Sequence, residues 1–149
     1  MSIIALDPGN STGWVLRNDQ GELIGGTIGE NHKDVVDLLN HYDPDVVVYE
    51  TFQMYPNKAQ KLIWNSFYPV EVIGVIKTWV MLHPEKVQSP FSDPRKRTLV
   101  GLQPSIKKYA LGNNEQELWK TVNRMGKPAT EHMRDAVRLL RYYERTNCK

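Results

Sequence analysis

At 149 residues, with 40% apolar and 24% charged side chains, the chain has the size and composition of one globular domain able to bury a substantial core. No apolar run approaches the ~18 residues of a membrane span, and one cysteine, Cys148, excludes an internal disulfide or a cysteine-rich zinc site. The net charge of +2 conceals an asymmetry: residues 1–85 hold 5 Lys/Arg and 11 Asp/Glu, residues 86–127 hold 9 and 3, and residues 128–149 hold 5 and 3. A basic second part of this kind is the footprint of a polyanion partner, nucleic acid above all, and also a common solvated surface.

The chain opens on "MSIIALD", with no basic segment ahead of its apolar run, so a reducing cytoplasm is the expected location. Residues 2–7 read as a buried strand, and "GWVLRND" with "GELIGGTIG" as two more, joined by a turn at Asn18–Gly21. Together they predict an antiparallel meander. "NHKDVVDLLNH" carries Val35, Val36, Leu38 and Leu39 at helical spacing behind Asn31 as a cap; "YDPD" then breaks the helix before a fourth strand, "VVVYE", Val46–Glu50. From Ser66, "SFYPVEVIGVIKTWVML" suits a long, largely buried helix ended by His83-Pro84, with Pro69 tolerated in its first turn. "EKVQSP" is expected to supply the fifth strand, residues 90–95 a loop, and residues near 95–109 and 114–125 two basic helical pieces. "GKPA" precedes a last helix, about Thr130–Arg145, whose core stripe is Met133, Ala136, Val137, Leu140 and Tyr143. Without repeats or long linkers, residues 1–149 read as a single domain: one mixed sheet with helices on both faces.

In such sheets ligands gather at the carboxyl ends of strands. Asp7 and Glu50 both stand there. Asp before Pro-Gly is also a common turn former, but a carboxylate finishing the apolar run "VVVYE" is costly to desolvate unless paired or bound to a cation. On the last helix His132 and Asp135 are three residues apart and share a face beside the core stripe. Three carboxylates brought to one place repel one another unless a divalent cation neutralises them. Oxygen ligands with one imidazole suit Mg²⁺ or Mn²⁺, and two such ions can clamp the attacking and leaving oxygens of a phosphodiester. Arg134, Arg138, Arg141 and Arg145 form a separate basic stripe, which ordinary solvation also explains.

"IIALDPGNSTGW", "DVVVYE" and "EHMRDAVRLL", in this order, resemble the three acidic motifs of RuvC-type Holliday-junction resolvases in the RNase H-like superfamily; the "H-x-x-D-A-x-R" form resembles phage-encoded members. The resemblance spans nearly the whole chain. It implies a five-stranded RNase H-like α/β fold, and Asp7, Glu50, His132 and Asp135 as the catalytic metal-binding set, with His132 where other members carry a further Asp. A Glu ending a strand also separates this pattern from ordinary RNases H, which are expected to carry it on a helix. "IKKYALG" resembles the family's lysine segment, which implies phosphate contact by Lys107 or Lys108. The second family lysine aligns with Leu118, and Lys120 replaces it only with a shift of register. Phe52 and Tyr55 are both candidates for the loop aromatic that enters the junction. Arg95, Lys96 and Arg97 are the alternative phosphate contacts.

The implied activity is metal-dependent, paired hydrolysis of phosphodiesters in a four-way or branched DNA. Paired cuts in a nearly two-fold junction call for two sites, hence a homodimer. The helix from Pro69 to Leu82 is the expected interface, because Val70, Ile73, Val75, Ile76, Trp79, Val80 and Leu82 surround more of it than a sheet buries. "DPGNSTG" also resembles the first phosphate loop of actin-like and sugar-kinase phosphotransferases. That architecture needs a second lobe and a second glycine-rich loop, which this chain lacks, so no nucleotide cofactor is expected. A related nuclease on another nucleic acid, such as ribosomal RNA precursor, and a non-catalytic binding module remain open on sequence alone.

Overall fold

A computed structural model describes residues 1–29, 31–52, 68–87, 89–105 and 131–147. The strands β1 (Ile3–Asp7), β2 (Thr12–Arg17) and β3 (Leu23–Ile28) form the expected meander. Gly21 takes φ 82° in the β2–β3 turn, a left-handed conformation that glycine adopts without steric cost. Asn18 Oδ1 closes the same turn by accepting from the backbone N–H of Gln20 and Glu22.

Helix α1 (His32–Tyr42) starts at Asn31, whose side chain caps the N–H of Lys33 at 3.0 Å. It ends on Asp43 in the left-handed region, φ 43°. Strand β4 (Val46–Glu50) then runs parallel to β1, with Leu6 opposite Tyr49. Helix α2 (Tyr68–Leu82) buries Val72, Ile73, Ile76 and Trp79, and the Trp79 indole N–H donates to Asn40 Oδ1 at 2.8 Å, tying α2 to α1. Val75 and Val80 are half-buried, whereas Val70, Met81 and Leu82 face solvent.

The next segment departs from the expected order. Glu85–Lys86 (β5) pairs only with Arg95–Lys96 (β6) in a two-stranded ribbon, and the fifth strand of the main sheet is β7, Thr98–Leu102, parallel to β4. Residues 95–102 are therefore extended rather than helical. "TLVGL" is a short apolar run that periodicity alone cannot separate from buried helix, and only β-branched Thr98 and Val100 lean towards the strand. At Gly101 a Cβ would stand 2.9 Å from the Tyr49 hydroxyl and from Thr51 Cγ2, so the bare position lets β4 and β7 pack. The second basic piece, 114–125, lies outside the described residues, as does Cys148.

Helix α3 (Glu131–Asn147) completes the described elements. The sheet order β3-β2-β1-β4-β7 makes a mixed five-stranded sheet covered on both faces. Strand period two sorts the side chains. Ile3, Ala5, Val15, Val46 and Val48 pack under Met133, Ala136, Val137, Leu139, Leu140 and Tyr143 of α3. Ile4, Leu6, Leu16 and Val47 pack under Val35 and Leu39 of α1 and Val72, Ile76 and Trp79 of α2. Burial on both sides explains why β1 and β4 read as unbroken apolar runs. No helix among the described residues is long and apolar enough to cross a membrane.

Candidate active site

The same alternation that buries Ile3 and Ala5 under α3 carries Asp7 to that face, and the alternation of Val46 and Val48 does so for Glu50. Because β1 and β4 are parallel neighbours in register, both acids emerge at one end of the sheet. Helix α3 crosses that face, and its second turn supplies Asp135. One oxygen from each of Asp7, Glu50 and Asp135 lies within 4.8 Å of the others. Asp7 is buried and the other two are half-buried.

His132 takes a different place. Its Nδ1 stands 3.1 Å from Asp7 Oδ2, and its side chain is 45% exposed. A carboxylate only accepts, so this contact places the proton on Nδ1 and leaves Nε2 as the nitrogen available to a ligand or a proton. The sequence assigned four metal ligands; the structure brings three carboxylates together and sets the imidazole against one of them. Arg138 donates to Asp135 Oδ1 at 2.9 Å. That contact was legible in principle, since the two residues are spaced i, i+3 on one helix. Arg141 and Arg17 meet Glu144 at 3.7 and 3.2 Å, so the arginine stripe is partly engaged in ion pairs.

Phe52 lies beside Glu50, half-buried, on a cavity of about 240 Å³ shared with Pro8, Thr51, Pro69, Ile73 and Pro104. Tyr55, Lys107, Lys108 and Lys120 lie outside the described residues. Arg95, Lys96 and Arg97 sit at the opposite end of the sheet, where Thr98 pairs with Val46, roughly 13 Å along β4 from Glu50 at ordinary strand rise. Arg95 pairs with Asp45 at 3.0 Å and Lys96 is exposed. Arg97 is corrected outright: it is 5% exposed and cannot be a surface phosphate contact. Its guanidinium donates to His83 O at 2.9 Å, to Asp43 Oδ1 at 2.5 Å and to Pro44 O, and lies 4.4 Å over the Trp79 ring. The basic run "RKR" offered no sign of this, because Arg97, between β6 and β7, is buried by partners distant in sequence: Asp43, Pro44, Trp79 and His83.

No protein-family model and no curated protein matches this sequence. Solved structures do match. Thermus thermophilus RuvC in complex with Holliday junction substrate is similar with a TM-score of 0.61 at 16% identity, over 99% of this chain and 96% of that one. Fowlpox virus resolvase with substrate Holliday junction DNA is similar with a TM-score of 0.61 at 16% identity, over 96% of this chain and 99% of that one. A second T. thermophilus RuvC structure gives 0.58 at 16% identity, over 98% of this chain and 96% of that one. The fold is therefore the RuvC-type, RNase H-like α/β fold, with the acids on its sheet and facing helix.

Proposed function

We propose that this chain is a divalent-metal-dependent endonuclease that resolves four-way DNA junctions by phosphodiester hydrolysis. The observation that carries the reading is the convergence of Asp7, Glu50 and Asp135 to within 4.8 Å at the end of two parallel strands under one helix. The donor set fits a hard cation: all three are carboxylates, they repel one another without one, and none is a thiolate. Asp7, Glu50 and Asp135 would hold Mg²⁺ or Mn²⁺, two ions in the fullest form. When bound, such ions supply Lewis-acid stabilisation of charge on the phosphodiester oxygens.

The residues themselves orient the site. His132 fixes the Asp7 carboxylate through Nδ1 and presents Nε2 for proton transfer or ligation. Arg138 holds Asp135 and offsets part of the cluster's negative charge. Phe52, beside Glu50 and packed against the α1–α2 side of the core, and Tyr55 are the two candidates for an aromatic that stacks on an unpaired base. The likeness to two resolvases, each solved in complex with a Holliday junction substrate, supports a branched substrate.

Paired cuts require two sites, and the reading includes a homodimer. Val70, Met81 and Leu82 on the outer side of α2 support it, next to an apolar groove of about 600 Å³ between α1 and α2. The deciding experiment measures cleavage of a four-way junction beside duplex, single-stranded DNA, RNA/DNA hybrid and structured RNA, with Mg²⁺ or Mn²⁺ and with EDTA. Metal-dependent nicking confined to the junction is expected. Cleavage of structured RNA in preference would assign the site to a related nuclease, and no cleavage at all would leave a binding module.

A further inference from the structure

Asp7, the buried acid of the site, is paired across the β1–β2 ladder with Gly13. Gly13 points to the same face of the sheet as Val15, the face that α3 covers. There the helix comes as close as a backbone can. A Cβ at position 13 would stand 2.5 Å from the backbone nitrogen of Met133 and nearer still to the carbonyl carbon and oxygen of His132. These are main-chain atoms of the first helical turn, so no rotamer change relieves the clash. A methyl group at residue 13 must lift the start of α3 off β2.

The neighbouring glycines differ in kind. At Gly25 the nearest α3 atom to a Cβ is Met133 Cε at 3.2 Å, the movable end of a flexible side chain. At Gly9 it is the His132 ring carbon Cε1 at 3.6 Å, an ordinary contact. Only at Gly13, among the glycines of the described residues, does the helix backbone itself rest on the strand. The rung that holds Asp7 is thus also the seat of the turn that carries His132 and leads into Asp135.

We infer that Gly13 is a positioning residue of the metal site: its bare backbone sets how near the helix-borne His132 and Asp135 come to the strand-borne Asp7 and Glu50. The inference rests on the metal-site reading above. Its sequence sign is the glycine of "STGW", which no turn at that position requires, since Gly13 lies inside β2.

The test compares Mn²⁺ binding, by calorimetry on the full chain, among wild type, Gly13→Ala and Gly25→Ala. A displaced first turn is expected to weaken Mn²⁺ binding by about 10-fold or more in Gly13→Ala, the range typical of lost orientation around a metal. Gly25→Ala should stay within about twofold of wild type, because its closest neighbours, Trp14 O and Val15 Cγ1 at 3.0 Å, belong to β2 and the nearest α3 atom is a side-chain end that can move. Equal loss in both variants, or wild-type affinity in folded Gly13→Ala, overturns the inference. Should Gly13→Ala fail to fold, amide exchange on metal-free wild type decides. The N–H groups of Asp135, Ala136 and Val137, which close the first turn, should already be protected; if they become protected only on adding Mg²⁺, the metal rather than Gly13 seats the helix. Neither measurement depends on cleavage: a wild type that binds Mn²⁺ but cuts no junction refutes the nuclease reading and leaves Gly13 testable, while a wild type that binds no Mn²⁺ overturns both.

Discussion

The His132 imidazole faces the Asp7 carboxylate across 3.1 Å, joining the first turn of α3 to the end of β1 over 125 residues of sequence. The contact gives the imidazole a duty that a fourth carboxylate could not perform without adding repulsion. His132→Ala is expected to reduce cleavage by about 10- to 100-fold, the usual cost of removing a residue that orients a metal ligand or moves a proton. His132→Asp should retain activity with a raised metal requirement, since an acid can ligate yet cannot donate to Asp7. Full activity in His132→Ala, measured as single-turnover junction cleavage, would confine the imidazole to a structural role.

Asp7→Asn and Glu50→Gln each remove a carboxylate while leaving the shape of the site intact. Each should lower cleavage by at least about 100-fold, with junction binding near that of wild type, because no basic contact is lost. In metal-free buffer the melting temperature should hold or rise, as one of three mutually repelling charges is gone. A variant cutting at the wild-type rate in Mg²⁺ would place the site elsewhere.

Much of this architecture was readable from the chain, and the parts that were not share a cause. β1, β2, β3, β4, α1 and α3 announce themselves through period-two or helical patterning, capping by Asn31 and the turn around Gly21. Asp7 and Glu50 stood out because an acid ending an apolar strand has few bland explanations. β7 did not, because the local signal of "TLVGL" is too short to decide between helix and strand, and pairing with β4, a long-range contact, decides it. Arg97 and Gly13 were opaque for the same reason: one is defined by its distant partners Asp43, Pro44, Trp79 and His83, the other by a helix that arrives over a hundred residues later.

Arg97 serves the fold. It bonds two main-chain carbonyls and Asp43, which sits in the left-handed region at the end of α1, and it stacks on Trp79. Arg97→Ala should destabilise the protein by about 3 kcal/mol, because two carbonyls lose their donor and Asp43 loses its charge partner. Arg97→Lys should recover only part of this, since an ammonium lacks the planar fork that spans the three acceptors. Urea denaturation measures both. DNA affinity of the folded variants should be unchanged; a large loss would restore Arg97 as a phosphate contact.

With Arg97 buried and Arg95 paired to Asp45, Lys107 and Lys108 of "IKKYALG" are the proposed phosphate contacts, with exposed Lys96 as the alternative. Affinity for junction DNA should drop steeply with salt, and charge removal at Lys107 and Lys108 together should reduce the slope of log K against log salt by roughly 1 to 2. Fluorescence anisotropy between low and physiological salt reads this directly. An unchanged slope, with Lys96→Ala lowering it instead, would move the contact to the far end of the sheet.

The dimer prediction turns on α2. Its inner side is filled by Val72, Ile73, Ile76 and Trp79, yet Met81 and Leu82 are 75% and 71% exposed and Val70 is 43% exposed. Apolar side chains gathered along one outer helix, beside a groove with α1, are more than solvation requires. At Gly74 a Cβ would meet nothing within 4 Å, so the middle of the helix offers a smooth place for a second helix to approach. A two-fold contact there would be isologous, each α2 meeting its copy, and about 800 Å² per protomer would make it stable. Leu82→Glu changes an exposed side chain, so folding should survive while the interface gains two facing charges. Wild type is expected to be dimeric by light scattering at micromolar concentration and to linearise a cruciform plasmid by paired cuts. Leu82→Glu should be monomeric and leave nicked circles from single, uncoupled cuts. A monomeric wild type, or a Leu82→Glu variant that stays dimeric with coupled cleavage, would take the interface away from α2.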